Sequence, residues 1–324
     1  MKTYAIHRFL ALFCLLCFVL AACSQTGPAE TTTATTTSTV ARDFYGVPIA
    51  FPQTPPRRII SLVANMSEIL GALHLDSRVV GVDAFTDYPP ALATRTKIAD
   101  ENENYNVEQI VSLKPDLVLS WGGETKQIDP QLSKLGLHVV DFPVSDFSQT
   151  LQQIIQVGRL TGTQQTATTL VNQLEQQVNQ IKATVAGTIA PRTLLEVDDT
   201  TPGKLYVFGG SSFGDDLAQD AHAQNIFHSD TSNSGYPQIT YEAVLHADPQ
   251  FIILTEDPQY GGKPAVVYAR SNWQDVSAVK AHHVYHINVE LMQRPGPRLV
   301  QGLRCLAQIV HPDKFTGALP AYCA

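Results

Sequence analysis

The chain has 324 residues, 44% of them hydrophobic and only 16% charged, a balance that excludes both a disordered chain and a multi-spanning membrane protein. Lys and Arg total 22 against 30 Asp and Glu, a formal net charge of -8, so there is no basic field to neutralise a phosphate backbone and nucleic acid is excluded as a partner. A single core rarely grows beyond about 250 to 300 residues, so two lobes are expected.

In chain order, Lys2 and Arg8 precede the apolar run FLALFCLLCFVL from Phe9 to Leu20. That run is shorter than the ~20 residues a spanning helix needs, and it reads as the core of a signal peptide, residues 1–22. Leu20-Ala21-Ala22-Cys23 resembles the lipobox of bacterial lipoproteins. The resemblance implies that Cys23 carries lipid and anchors the chain to the cell membrane, facing the periplasm or the cell exterior. Cleavage there removes Cys14 and Cys17, which leaves Cys305 and Cys323 as an even pair in the exported body. In an oxidising compartment such a pair is expected to form a disulfide. Residues 23–40 are Thr-rich and lack large side chains, so they read as a solvated tether.

The body opens with the strand-like run RIISLV, the helical stretch SEILGAL and the strand-like run VVGVDAF, a βαβ unit. A second unit follows: a helical Val107 to Leu113, the buried-strand run LVLSW, a helix from about Asp129 to Leu135, and the strand LHVVDF. Strands alternating with helices predict a parallel sheet covered on both faces, giving an N-terminal α/β lobe over residues 41–150. Apolar residues at Ala167, Leu170, Val171, Leu174, Val178, Ile181 and Val185 make one stripe of a long helix, opposite a face of Gln, Asn and Thr. It belongs to a linking helical segment, residues 151–189, which reads as a strut between lobes. The strand runs TLLEV, LYVF, FIILT and HVYHI then assign residues 190–324 to a second α/β lobe.

An internal repeat supports two lobes of one design. NVEQIVSLKPDLVLSW (106–121) and TYEAVLHADPQFIILT (240–255) each carry a Glu two residues in, a Pro seven residues later, and a buried strand two residues after that.

RIISLVANMSEILGALHL with VVGVDAFTDYPP, NVEQIVSLKPDLVLSWGG, GYPQITYEAVLHADPQFIIL, WQDVSAVKAHHVYHIN and RPGPRLVQGL, in that order, resemble class III substrate-binding proteins of ABC importers. That superfamily captures cobalamin, iron-siderophores and haem. Thr86-Asp87-Tyr88-Pro89-Pro90, Leu119 to Gly123 and Tyr236-Pro237-Gln238 are most similar to its cobalamin-binding members. The resemblance implies an α/β fold of two Rossmann-like lobes joined by one long interdomain helix, with the ligand cleft between them. It also implies a monomeric receptor without catalysis, cofactor or resident metal, partnered by a dimeric permease with its ATPase. Where those members carry a further Trp, the stretch Ala99 to Tyr105 has Asn and Glu, with Tyr105 nearby.

A corrinoid offers apolar ring faces and an amide-bearing rim, so its site needs aromatic area and a few polar groups. Tyr88 and Trp121, each following a strand-like run, are the first-lobe candidates. Tyr206, Phe208 and Tyr236, with Phe213, are those of the second lobe. Arg294, with Arg298, would serve an anionic ligand such as a siderophore. For haem, Tyr88, Met292 or one of His282, His283 and His286 could act as axial ligand. Glu108 and Glu242, the repeated glutamates, match the family's permease-docking carboxylates. One rival of another class is a serine hydrolase, because Gly210-Ser211-Ser212-Phe213-Gly214 satisfies G-x-S-x-G between a strand and a helix. It lacks an upstream oxyanion segment.

Overall fold

The computed structural model describes residues 40–324; the signal segment, Cys23 and nearly all of the tether lie outside the described residues. The first sheet is built from β1 (Ile59–Ser61), β2 (Val79–Val82), β3 (Leu117–Trp121) and β4 (Val139–Phe142), in the order β2-β1-β3-β4. All its pairings are parallel. Such strands are covered on both faces, which is why β1 and β3 are apolar and buried along their whole length. Helices α1 (Ala64–Ala72), α2 (Val107–Ser112) and α3 (Asp129–Lys134) connect them.

Two helices then lead out of this lobe. Helix α4 (Phe147–Thr161) starts at a capping box made by Asp146 and Gln149 and ends at Gly162, in the left-handed region at φ 73°. Helix α5 (Gln164–Val185) is the expected strut, burying Ala167, Val171, Leu174, Val178, Ile181 and Val185. The two helices approach closely at Gly158, where a Cβ would come within 2.4 Å of the Ala167 methyl.

The second sheet comprises β5 (Arg192–Asp198), β6 (Lys204–Val207), β7 (Gln224–Asn225), β8 (Gln238–Thr240), β9 (Phe251–Leu254) and β10 (Val284–His286). Its order is β10-β9-β5-β6-β8, with β7 paired to β5. Unlike the first sheet this one is mixed: β6 runs antiparallel to both β5 and β8. Only five residues separate β5 from β6, too few for the crossover a parallel pair requires. Helices α6 (Phe213–Asp220), α7 (Tyr241–Ala247), α8 (Val289–Met292) and α9 (Leu299–Val310) complete the lobe. Cys305 on α9 is bonded to Cys323 in the C-terminal tail, with Cα atoms 5.7 Å apart.

The repeat seen in the sequence holds at the level of single atoms. Asn106 caps α2 by accepting from the Gln109 amide, and Thr240 caps α7 by accepting from the Ala243 amide. Each helix is followed by a left-handed residue before proline, Lys114 at φ 48° and Asp248 at φ 43°. The strands that follow, β3 and β9, pair in parallel with the first strand of their sheets, β1 and β5.

Candidate functional site

A cleft of about 330 Å³ lies beyond the carboxyl ends of β1, β2 and β3, where open α/β sheets place their ligands. The first lobe contributes Leu62 to Asn65 after β1, Asp83 and Phe85 after β2, Glu103 and Tyr105, then Trp121 and Glu124 at the end of β3. Across from them stand Val289, Glu290, Gln293, Arg294 and Pro295 of the segment running from α8 toward α9.

The aromatic wall is pinned from behind. Trp121 donates its indole N–H to Ser145 Oγ at 3.4 Å, and Tyr105 donates its hydroxyl to the Leu62 carbonyl at 2.9 Å. The loop after Trp121 is held by an N-terminal strap. Phe44 donates its backbone N–H to the Asp141 carbonyl, and its ring fills the place a side chain would take at Gly123, whose φ is 74°. Tyr45 donates its hydroxyl to Asp129 at 2.9 Å. On the opposite wall, the Gln293 side-chain amide donates to the carbonyls of Thr255 (2.8 Å) and Val197 (3.2 Å), tying this segment to the ends of β9 and β5.

Ion pairs cross the seam between the lobes. Glu68 on α1 is 2% exposed and takes a two-pronged bond from Arg298, while Arg294 bonds Asp87 at 2.6 Å, the Phe85 carbonyl at 3.1 Å, and Glu290. Burial pushes the Glu68 carboxyl up, against the pull of Arg298 and Arg294. Both arginines are thus neutralised by partners from the protein. Burial likewise raises Asp83, which accepts from the Thr86 hydroxyl and from the Phe85 amide. Glu124 is pushed up to about 7 by the walls of the cleft, then by the charges of Glu103 and Asp83.

Of the expected ligand contacts, Trp121 and Arg294 line this cleft. Tyr88 does not. It borders a separate groove of about 280 Å³ with Gln177 and Pro297, and the Arg298 guanidinium lies 4.1 Å above its ring. Phe208 is corrected to a core residue, fully buried with its ring 5.5 Å from those of Phe213 and Tyr236. Tyr206 is half-buried on β6, away from the cleft lining. Tyr236 is half-buried too; burial raises its hydroxyl, and Glu124 adds to the shift, so it stands within the field of that cleft carboxylate. Phe85, Glu103, Tyr105, Glu124 and Gln293 were not selected from the sequence. Phe85 lies inside the run VVGVDAF, which reads as one strand, although β2 ends at Val82.

The rival chemistries find no constellation. Ser212 is 2% exposed and caps α6; its hydroxyl donates to the Gly209 carbonyl and accepts from the Asp215 amide, and among the described residues no histidine bonds it. His283 stacks on Phe251 at 4.5 Å, His286 bonds the Glu256 carbonyl, and His282 is exposed at φ 58°. These three do not converge. Met292 is fully buried.

Two α/β lobes, a joining helix and a cleft beyond the strand ends define the fold of a solute-binding protein. The chain belongs to the periplasmic binding protein family, whose model matches residues 59–291. It is 31% identical over 267 residues to the uncharacterized ABC transporter substrate-binding lipoprotein YvrC of Bacillus subtilis (strain 168), covering 80% of this chain and 82% of that one. To the vitamin B12-binding protein of Vibrio cholerae (strain O395) it is 24% identical over 251 residues, 77% of this chain and 87% of that one. Its fold is similar to that of a periplasmic heme binding protein from Pseudomonas aeruginosa, with a TM-score of 0.71, 23% identity, and 82% and 96% of the two chains covered. The protein is therefore a non-enzymatic solute binder of that family, the substrate-binding component of an ABC transporter.

Proposed function

We propose that the chain is a lipid-anchored receptor, facing the periplasm or the cell exterior, that delivers cobalamin or a related corrinoid to the permease dimer of an ABC importer. The observation that carries this reading is the composition of the cleft: aromatic area from Phe85, Tyr105 and Trp121, hydrogen-bonding side chains and, among the described residues, no arginine left to meet an anion. A ferric siderophore or a haem with its carboxylates needs cationic partners, and here Arg294 and Arg298 are held by Glu68, Asp87 and Glu290. A corrin ring needs apolar faces and groups that pair with rim amides. The ring exceeds the enclosed volume, so this reading places one edge inside the cleft and the rest in its mouth. In the same reading Cys23 carries the lipid, and Glu108 and Glu242 mark the two points that touch the permease.

The test is retention of a chromophore. Purified protein is incubated with cyanocobalamin, haemin or a ferric siderophore, each followed by desalting and an absorption spectrum. A retained corrin spectrum supports the reading; retention of haem or ferric siderophore alone defeats it.

A further inference from the structure

The enclosed part of the cleft holds more acid than its surroundings neutralise. Glu103 and Glu124 both line it, and among the described residues neither carboxylate takes an ion pair or a side-chain hydrogen bond from Lys, Arg or His. Across the cleft, Arg294 is committed to Asp87, Glu290 and the Phe85 carbonyl. Lys97 donates to the Thr86 carbonyl at 2.6 Å and lies in the field of Asp83 and Asp87. Among the described residues, the other titratable groups in the field of Glu124 include Asp83, Asp141, Tyr105 and Tyr236, none of them cationic.

Glu103 is presented by a turn built to hold it. The Asp100 carboxylate accepts from the backbone N–H of Asn102 and of Asn104 and from the Asn104 side chain, each at 2.9 Å. An antiparallel bridge between Ala99 and Tyr105 closes the loop, and Glu103 sits near its tip at φ 58°.

We propose that Glu103 and Glu124 form an acidic filter that admits a neutral or cationic ligand edge bearing hydrogen-bond donors, such as the primary amides of a corrinoid rim, and excludes anionic edges. The inference rests on the corrinoid reading and names how the cleft would enforce it. An ionised carboxylate only accepts hydrogen bonds, so it pairs with an amide N–H and repels a second carboxylate brought to close range. Because Glu124 titrates near neutrality, the filter strengthens as the pH rises through about 7 and relaxes below it.

The experiment compares cyanocobalamin with its monocarboxylates, in which one rim amide is hydrolysed, by titration calorimetry at pH 5.5 and pH 8. At pH 8 at least one monocarboxylate should bind the wild type tenfold or more weakly than the parent. The penalty should fall below threefold at pH 5.5, and at pH 8 in the double variant Glu103→Gln, Glu124→Gln, which keeps two acceptors and loses the charge. Both side chains are exposed, so the variant should fold like the wild type, melting at the same temperature at pH 5.5 and no lower at pH 8, where loss of the raised Glu124 charge stabilises. Monocarboxylates all within twofold of the parent at pH 8, or a penalty the double variant leaves intact, overturn the filter while the corrinoid reading stands. If the wild type takes up haemin and no corrinoid, that reading fails. The filter then falls as well unless the double variant binds haemin at least tenfold more tightly at pH 8.

Discussion

Phe85 and Trp121 stand on one wall, yet solvent reaches 47% of the first and only 9% of the second. They should therefore answer differently to truncation. Phe85→Ala removes contact area from the cleft alone, so cyanocobalamin affinity should fall by about 1 to 3 kcal/mol with the melting temperature unchanged. Trp121→Ala should lower affinity and melting temperature together, because a largely buried Trp costs about 3 to 5 kcal/mol when cut to Ala. Calorimetric titration alongside thermal melts separates the two. Trp121 was legible as a cleft-lining candidate because a Gly-Gly turn follows it, whereas Phe85 was hidden inside VVGVDAF, which reads as one strand although β2 stops at Val82. Phe208 shows the converse: position after a strand says nothing about which face a ring turns to. Glu256 gives a test at pH extremes. Burial, then the charges of Asp199 and Glu196, push its carboxyl from 4.5 up to about 8. A group that stays protonated in the fold but ionises in the unfolded chain contributes stability below about 4.5, and that contribution is lost as the pH rises to about 8. Glu256→Gln should thus raise the melting temperature at pH 8 and leave it nearly unchanged at pH 4.5. Equal shifts at both would show that the acid is ionised throughout.

At the scale of elements, the C-terminal tail depends on the disulfide between Cys305 and Cys323, 18 residues apart. Replacing both by Ser should lower stability by about 3 kcal/mol in denaturant titration, the chain-entropy value for a loop of that size, and reductant should do the same to the wild type. An unchanged midpoint would mean that the tail is held by packing alone. The parallel strands, the 22-residue helix α5 and the two-fold repeat were all legible, since continuous apolar runs and a 3.6-residue stripe are strong signals. The direction of β6 was carried by a different signal, the length of the link from Asp198 to Lys204, and a run such as LYVF does not reveal it. The arginines of the seam segment from α8 to Arg298 were singled out in the sequence, but not their ion pairs, because the partners Glu68 and Asp87 lie far away in the chain.

For the whole molecule, the repeat brings Glu108 and Glu242 to the same place in two lobes, exposed in the first turn of α2 and of α7. Two acidic points at fixed separation suit a permease with two-fold symmetry. Reversing both to Lys should abolish uptake into cells, since like charges across an interface cost several kcal/mol. Neither residue lines the cleft, so cyanocobalamin affinity should stay within about twofold. Full uptake by the double reversal would reduce both to residues favoured by the helix dipole.

The structure offers two grooves near the seam, the one between Trp121 and Gln293 and the one beside Tyr88 and Gln177, and the account places the ligand in the first. Crystals grown with cyanocobalamin and measured at the cobalt absorption edge would locate the metal directly. A single anomalous peak in the mouth of the cleft, with the corrin ring against Phe85 and Trp121, is the predicted result. A peak beside Tyr88, or none in crystals soaked to saturation, would contradict it.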